Sequence, residues 1–280
     1  WAAAHGDFAV ALERIRRMRA IHPPAAGERR QFAIEALFLS RLGRGAEARA
    51  LIAPHLRGRR PDPSLLLLAA NTWRPDAGTA ESAAADAETL DLVNAVFRRF
   101  GLQQIGKRDP ARPLSLDNLA GVGPGPGTSE GPLVSVIVPA FNAAETLATA
   151  LAGLAAQSHV ALDVLVVDDA SRDGTADIAA DFARADPRFR LLRQPENGGG
   201  YVARNRALAE ARGVFVTVHD ADDWSHPEKI ARQVRAVLRS GAPSSFSSWV
   251  RATPDLTFLG AARVYPDLMG LNDSAALFRR

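Results

Sequence analysis

Two textures of hydrophobic patterning divide the chain. Over residues 1–101, apolar side chains recur three and four positions apart, as they do along one face of an α-helix. Phe8, Leu12, Ile15 and Met18 form one such stripe, and Phe32, Ala36, Leu39 and Leu42 form the next. Pro23-Pro24 and the Pro61–Pro63 stretch interrupt the periodicity and separate helices. A further stripe of Leu90, Val93, Val96, Phe97 and Phe100 predicts an amphipathic helix over Asp86–Gly101, with Gly101 as its stop.

From Leu133 the pattern changes to short, nearly continuous apolar runs alternating with amphipathic segments. Strands are predicted at 133–139, 163–167, 189–193 and 214–218. Helices are predicted at 144–157, 175–185, 201–212 and 227–239, the last with Pro227 just inside its start. Such alternation predicts an α/β domain whose mostly parallel sheet is flanked by helices on both faces. The ligands of such sheets bind beyond the carboxyl ends of the strands. Between the two textures, Gly121–Gly131 has almost no side chain able to build a core. The expected organisation is an all-α region at 1–101, a linker at 102–131 and an α/β domain at 132–280.

The helical half carries a local echo. Gly6-Asp7-Phe8-Ala9-Val10-Ala11 precedes one helix and Leu42-Gly43-Arg44-Gly45-Ala46-Glu47-Ala48 another, an offset near the ~34-residue period of tetratricopeptide repeats. The Leu-Gly and Ala placements resemble that repeat, while its Trp and Tyr are missing. Degenerate repeats and an unrelated helical bundle both remain open.

Composition narrows the class. With 280 residues and 47% hydrophobic content, the chain can build real cores. The net charge is +3 and the pI about 9.9, but acidic and basic residues nearly balance, and only Lys107 and Lys229 are lysines. Such a surface suits anionic ligands or a membrane face and argues against a nucleic-acid partner. The absence of cysteine excludes disulfides and thiolate zinc sites and fits a reducing compartment. No apolar run approaches the ~20 residues of a membrane-spanning helix. No signal peptide is evident, so a cytoplasmic protein, or one peripheral at the inner face of the membrane, is expected. A start at Trp1 rather than Met suggests a piece of a longer protein.

Candidate chemistry collects at the predicted strand ends. Asp220-Ala221-Asp222-Asp223 follows the fourth strand and contains a D-x-D pattern. Like charges this close are costly unless a cation or hydrogen-bond donors share the site. Oxygen-only ligands suit Mn2+ or Mg2+, which in turn grips phosphate oxygens. His219 and His226 flank the cluster and read mainly as packing residues, and Trp224 as packing or pocket wall. After the first strand comes Val138-Pro139-Ala140-Phe141-Asn142, where Pro139 would end sheet pairing and Asn142 would cap the next helix. The same segment also reads as a plain strand-to-helix turn. After the second strand, Asp169 could accept an imide N–H and so select uracil-like bases. The alternatives there are solvated turn residues or the acidic pair of a receiver domain, which would sit on the first strand instead. Glu196-Asn197-Gly198-Gly199-Gly200 opens a helix and could offer backbone N–H groups to an anion, with Arg204 one turn in. It is not a dinucleotide fingerprint, and no Walker lysine is present.

Together, in this order and spacing, these four clusters resemble glycosyltransferase family 2, bacterial enzymes of GT-A fold that use nucleotide-diphosphate sugars. The resemblance runs from about Val134 to Arg280. It implies that Pro139 and Phe141, with Asn142 beside them, line a nucleoside pocket, that Asp169 holds the base, and that Arg204 contacts the donor. Asp220 would approach the ribose or the metal, and Asp222 would coordinate the Mn2+ or Mg2+ that bridges the diphosphate. It further implies inverting transfer from a UDP-sugar to a sugar or lipid-linked hydroxyl acceptor in cell-surface polysaccharide or lipopolysaccharide assembly. The segment Asn272–Arg280 looks like the family's strand leading towards the acceptor. The general base is expected beyond Arg280, since neither Asp267 nor Asp273 is favoured for that role, so donor binding with little transfer is the expectation for these residues. Two other readings stand beside this one. One is a nucleotidyltransferase, whose Gly-rich basic loop after the first strand is missing. The other is a non-catalytic protein that recruits a protein partner through its helices.

Overall fold

The computed structural model describes residues 6–22, 30–57, 61–73, 80–123, 131–259 and 269–280. It separates into two compact units, Trp1–Ala120 with Ser248–Gly270, and Gly121–Ser247 with Leu271–Arg280.

The first unit is built on helices α1 (Phe8–Ile21), α2 (Arg30–Arg41), α3 (Gly45–Leu56), α4 (Pro63–Ala70) and α5 (Ala80–Arg99). Each packs on its neighbour in sequence. Their starts follow from capping chemistry. Asp7 accepts the Val10 N–H at 3.1 Å, and Asp62 accepts those of Ser64 and Leu65 just ahead of Pro63 at the first turn of α4. Leu65 to Ala70 are all buried, which makes α4 the apolar centre of the unit. Glu35 of α2 is buried too. Arg16 of α1 donates to it at 2.8 Å and Arg19 closes on its other oxygen, so its charge is paired as burial requires.

Residues 102–123, expected as linker, hold structure of their own. Strand β1 (Gln104–Lys107) pairs with β2 (Leu119–Val122), and a short 3-10 turn at Leu116–Asn118 lies between them. Asn94 of α5 holds β1 by bonding both the Ile105 N–H and the Ile105 carbonyl at 2.8 Å. Asn118, fully buried, accepts from the Asp109 N–H and donates to the Asp109 and Pro113 carbonyls. Buried amides thus add to the few buried apolar side chains of the segment, Ile105, Leu114 and Leu119. Residues 124–130 of the expected linker lie outside the described residues.

The second unit is the α/β domain. Its elements are β3 (Val134–Ala140), α6 (Leu147–Ala155), β4 (Leu162–Asp168), α7 (Thr175–Ala185), β5 (Phe189–Arg193), α8 (Gly200–Glu210), β6 (Phe215–Val218) and α9 (Lys229–Ser240). After these the chain continues through β7 (Ser244–Ala252), β8 (Phe258–Leu259) and β9 (Met269–Arg279). The strand order β5-β4-β3-β6-β9-β7-β8 places β3 between β4 and β6. β3 runs parallel to β4 (Val134↔Leu162 to Ala140↔Asp168) and to β6 (Val134↔Phe215 to Ile137↔Val218), while β9 is antiparallel to β6.

One sheet face packs Val134, Val136, Val138, Val164 and Val166 under Leu147, Leu151, Leu154, Ile230, Val234 and Val237 of α6 and α9. The other packs Ile137, Leu165 and Val167 under Ala203 and Ala207 of α8. Alanines on α8 let that helix approach closely, and burying each Val or Leu contributes ~1.5–3 kcal/mol. The predicted mostly parallel sheet flanked by helices, preceded by a helical region, is therefore present.

Two local expectations change. Pro139 does not end the strand: β3 stays paired with β4 through Ala140, and only the β6 side stops at Ile137, where Pro139's missing N–H costs nothing. Helix α9 begins at Lys229, two residues after Pro227, following a turn in which the Lys229 N–H reaches the His226 carbonyl.

Candidate functional site

Three strands end on the same edge of the parallel sheet. β3 delivers Pro139, Phe141 and Asn142, β4 delivers Asp168 and Asp169, and β6 delivers His219 to Asp223. Parallel pairing gives these loops a common edge, and right-handed crossovers put the helices on the faces.

Phe141 is an aromatic ring left half exposed, as a stacking surface would be. Asn142 does not cap α6. It adopts a left-handed φ of +48°, accepts the Arg172 N–H at 2.9 Å, and its own N–H donates to Ser171 Oγ at 3.0 Å. Its amide ties the β3–α6 loop to the β4–α7 loop, a task that short-range capping logic could not reveal.

Asp169 is buried and takes three hydrogen bonds from protein donors. Oδ1 takes Gln194 Nε2 at 2.5 Å and the Gly198 N–H at 2.8 Å, while Oδ2 takes the Gly199 N–H at 2.7 Å. The glycine loop therefore spends these two N–H groups on Asp169 instead of offering them to an outside anion. A carboxylate oxygen has two acceptor positions, so one remains on Oδ2.

Arg204, on the first turns of α8, donates through Nη2 to Asp220 Oδ1 at 2.9 Å and lies 5.6 Å from the ring centre of Tyr201. Its Nε is buried with no hydrogen-bond partner among the described residues. Asp222 and Asp223 are exposed beside this pair. Although Asp223 keeps part of its surface open, the protein packed around its carboxyl strips away hydration and pushes it up to about 6. The charges of Asp220 and Asp222 add to the rise. Lys229, at the start of α9, is the site residue that sequence reasoning missed. Burial pushes its ammonium down, while Asp223 and Asp220 act in the opposite sense. The available signal was its rarity, as one of two lysines in the chain, placed within one turn-and-helix of the cluster.

His219 is a buried structural residue. Its Nδ1 lies 3.0 Å from the Asp220 carbonyl, which only accepts, so Nδ1 carries the hydrogen. Desolvation first, and then the charge of Lys229, push its pKa down to about 3, so it stays neutral. His226 accepts the Glu228 N–H at 3.1 Å and meets Trp224 edge-on. Trp224 packs beside Gly153 of α6. Of the two late carboxylates, Asp267 lies outside the described residues, and so does the Asp273 side chain.

No group of three His, Cys, Asp or Glu converges as a ready cage among the described residues. The donor set nevertheless suits a hard divalent ion. Mg2+-type sites use one or two carboxylates and complete their shell with water and substrate phosphates. No described helix is long and apolar enough to cross a membrane.

A sheet of this order, with carboxylates and a paired arginine at its carboxyl edge, defines an α/β class whose ligand site lies at the strand ends. A family model described as "Glycosyl transferase family 2" matches residues 135–274. The chain belongs to glycosyltransferase family 2, and its α/β unit is the GT-A fold of that family. A Bacillus subtilis glycosyltransferase named for teichuronic acid biosynthesis is 33% identical over 147 residues, 52% of this chain and 58% of that protein. The succinoglycan biosynthesis protein ExoO of Rhizobium meliloti is 37% identical over 117 residues, 42% of this chain and 33% of that protein. The chain thus spans well under two thirds of either curated relative. Among solved structures, S. aureus TarS 1-349 in complex with UDP-GlcNAc is similar at 30% identity and TM-score 0.38, covering 40% of this chain and 33% of that one. The mannosyltransferase PcManGT from Pyrobaculum calidifontis, in complex with GDP-Man and Mn2+, is similar at 27% identity and TM-score 0.42, covering 53% and 45%.

Proposed function

We propose that the chain binds a nucleoside-diphosphate sugar, UDP-linked, at the carboxyl ends of β3, β4 and β6. The sugar is transferred with inversion to a hydroxyl of a saccharide or lipid-linked acceptor in surface-polysaccharide assembly. The observation that carries this reading is the Asp220–Asp222–Asp223 cluster with Arg204 on its flank, in a chain of this family. The relatives named for teichuronic acid and succinoglycan biosynthesis support the polysaccharide context.

Asp222 and Asp220 would hold Mn2+ or Mg2+, which supplies Lewis-acid neutralisation of the charge gathering on the departing diphosphate. Arg204 adds fixed positive charge: Nη2 orients Asp220, and the unpartnered Nε is a donor ready for a phosphate oxygen. Phe141 and Pro139 offer the nucleoside an apolar wall, and Asn142 locks the loop that carries Phe141. Asp169 fixes the glycine loop and keeps one acceptor position on Oδ2 for a pyrimidine imide. The proton of the attacking hydroxyl needs a base within hydrogen-bond reach, and no described residue is assigned to that role. The helical unit, with its chain of neighbour-packed helices, is proposed as a degenerate repeat able to take a protein partner.

The test is thermal unfolding with Mn2+ and UDP. A ligand at 100 times its Kd stabilises the native state by about 2.7 kcal/mol. The expected result is a metal-dependent rise in Tm that disappears in Asp222→Ala. An unchanged Tm with both ligands present would overturn the assignment.

A further inference from the structure

Charge is divided unevenly along the chain. Residues 1–60 hold 12 arginines against five carboxylates, a net charge of +7, while the whole chain carries only +3, so residues 61–280 carry −4. Such asymmetry points to an anionic partner for the basic part.

Within the helical unit, several of these arginines serve the interior. Arg16 and Arg19 turn to the buried Glu35, and Arg19 also lies 4.9 Å from the ring centre of Phe32. Arg49 of α3 donates to the Thr72 carbonyl and stands 4.2 Å from the Trp73 ring centre. Arg14 and Arg17 of α1 do neither. Both are exposed; Arg17 meets only Glu13 on the surface, at 2.8 Å, and Arg14 forms no ion pair among the described residues.

Two apolar side chains share their face. At about 3.6 residues per turn, positions 10, 14, 17, 18 and 21 fall in one sector of roughly 100°. Ala11, Leu12 and Ile15 occupy the neighbouring sector and are buried on the side where α1 packs on α2. In the outer sector Met18 is 41% exposed and Ile21 71% exposed. Guanidinium groups therefore stand within a turn of bare apolar side chains. A nucleic acid would ask for stacking aromatics, and this sector has none. An acidic protein segment would answer the arginines but leave Met18 and Ile21 in water. A bilayer surface with anionic headgroups answers both: phosphates meet the arginines, and the acyl boundary just beneath takes the apolar groups.

We propose that this outer sector of α1 docks on an anionic lipid surface, with Arg14 and Arg17 at the level of the phosphates and Met18 and Ile21 entering the acyl boundary. Docking of this face needs no nucleotide, so it stands or falls apart from the donor-site reading.

Sedimentation of the full chain with lipid vesicles tests it. Partition onto vesicles of equimolar phosphatidylglycerol and phosphatidylcholine is expected to exceed that onto phosphatidylcholine alone by about tenfold or more. Arg14→Gln with Arg17→Gln is expected to lower it by about tenfold. Arg184→Gln with Arg239→Gln removes the same charge from exposed positions on α7 and α9 and should leave partition within about twofold. Met18→Ser with Ile21→Ser keeps the charge, yet a loss of about tenfold is expected, which simple attraction between a basic protein and an anionic surface would not produce. If that variant loses helical circular dichroism, the single change Ile21→Ser, at the last residue of α1, takes its place with a loss in the same direction. Equal partition onto the two vesicle types, or partition that survives both double changes on α1, would overturn the proposal. So would wild-type binding to poly-glutamate or a single-stranded oligonucleotide without binding to the anionic vesicles, which would assign the face to an acidic macromolecule instead.

Discussion

Asp169 Oδ2 receives the backbone N–H of Gly199 at 2.7 Å, across a sequence gap that spans β5. Gly199 sits at a φ of +81°, a conformation that favours glycine, and Gly198 donates to the other oxygen of the same carboxylate. The entry to α8, and with it Arg204, is therefore set by a buried carboxyl group just past the end of β4. Asp169→Asn replaces one acceptor with an amide that must face N–H donors. A loss of ~1–3 kcal/mol in unfolding free energy is expected, with donor binding weakened by about tenfold, measured by denaturant titration and calorimetry with UDP and Mn2+. An unaltered denaturation midpoint would mean that the loop is held by something else.

The Arg204–Asp220 pair is partly exposed, so its contribution to stability is small, and its value lies in geometry. Arg204→Lys keeps the charge but removes Nε and the planar fork. Tm is expected to change little while UDP–Mn2+ affinity falls by about tenfold, or ~1.4 kcal/mol, by calorimetry. Equal affinity in the lysine variant would reduce Arg204 to a generic positive charge.

Asp223 should leave a pH signature. Its folded-state pKa is raised to about 6 from 3.8, so the native state binds the proton more tightly than the unfolded chain does. Stability then falls as pH rises from 3.8 through 6 and levels off above. Asp223→Asn imitates the protonated form, and its Tm is expected to exceed the wild type at pH 7.5, with the gain fading by pH 4. Solvent screening of this exposed side chain keeps the gain modest. Saturating Mn2+ should shrink it further by neutralising Asp220 and Asp222, whose charges add to the rise that burial begins. A gain that is independent of pH would point to a cause other than charge.

The elements that the hydrophobic period alone specifies were the most legible in the sequence. α7 (Thr175–Ala185) and β5 (Phe189–Arg193) fall at their predicted bounds because their apolar spacing is regular and charged residues flank them. The carboxyl-edge location of the four clusters followed from βα alternation. What escaped detection depends on contacts between residues far apart in sequence. Asn142 looks like a cap but bonds Arg172, and the glycine loop looks open but is closed by Asp169. β7 and β8 drew no prediction from the sequence, because most of β7 is only partly buried, which gives weak alternation. Lys229 carries no motif, and its neighbourhood is visible only once α9 is placed.

The same reasoning yields the last prediction, for the stretch that composition alone reads as a linker. β1 is short and offers only Ile105 and Gly106 as buried residues, too little apolar area to order it unaided. Asn94 supplies what is missing, satisfying both polar groups of Ile105 from within α5 as a partner strand would. Asn94→Leu preserves side-chain bulk but leaves a buried N–H and a buried carbonyl unpaired, at ~1–3 kcal/mol in all. Asn94→Asp keeps the acceptor for the Ile105 N–H but turns a carboxylate towards the Ile105 carbonyl, so it should be no better. Both variants are therefore expected to lower the unfolding free energy and to speed amide exchange across 104–122. Donor affinity in the α/β unit should remain unchanged, because none of the residues placed in the candidate site lies on this clamp. Slow exchange at 104–107 in both variants would show that β1 is held by its pairing with β2, with the Asn94 amide a passive neighbour.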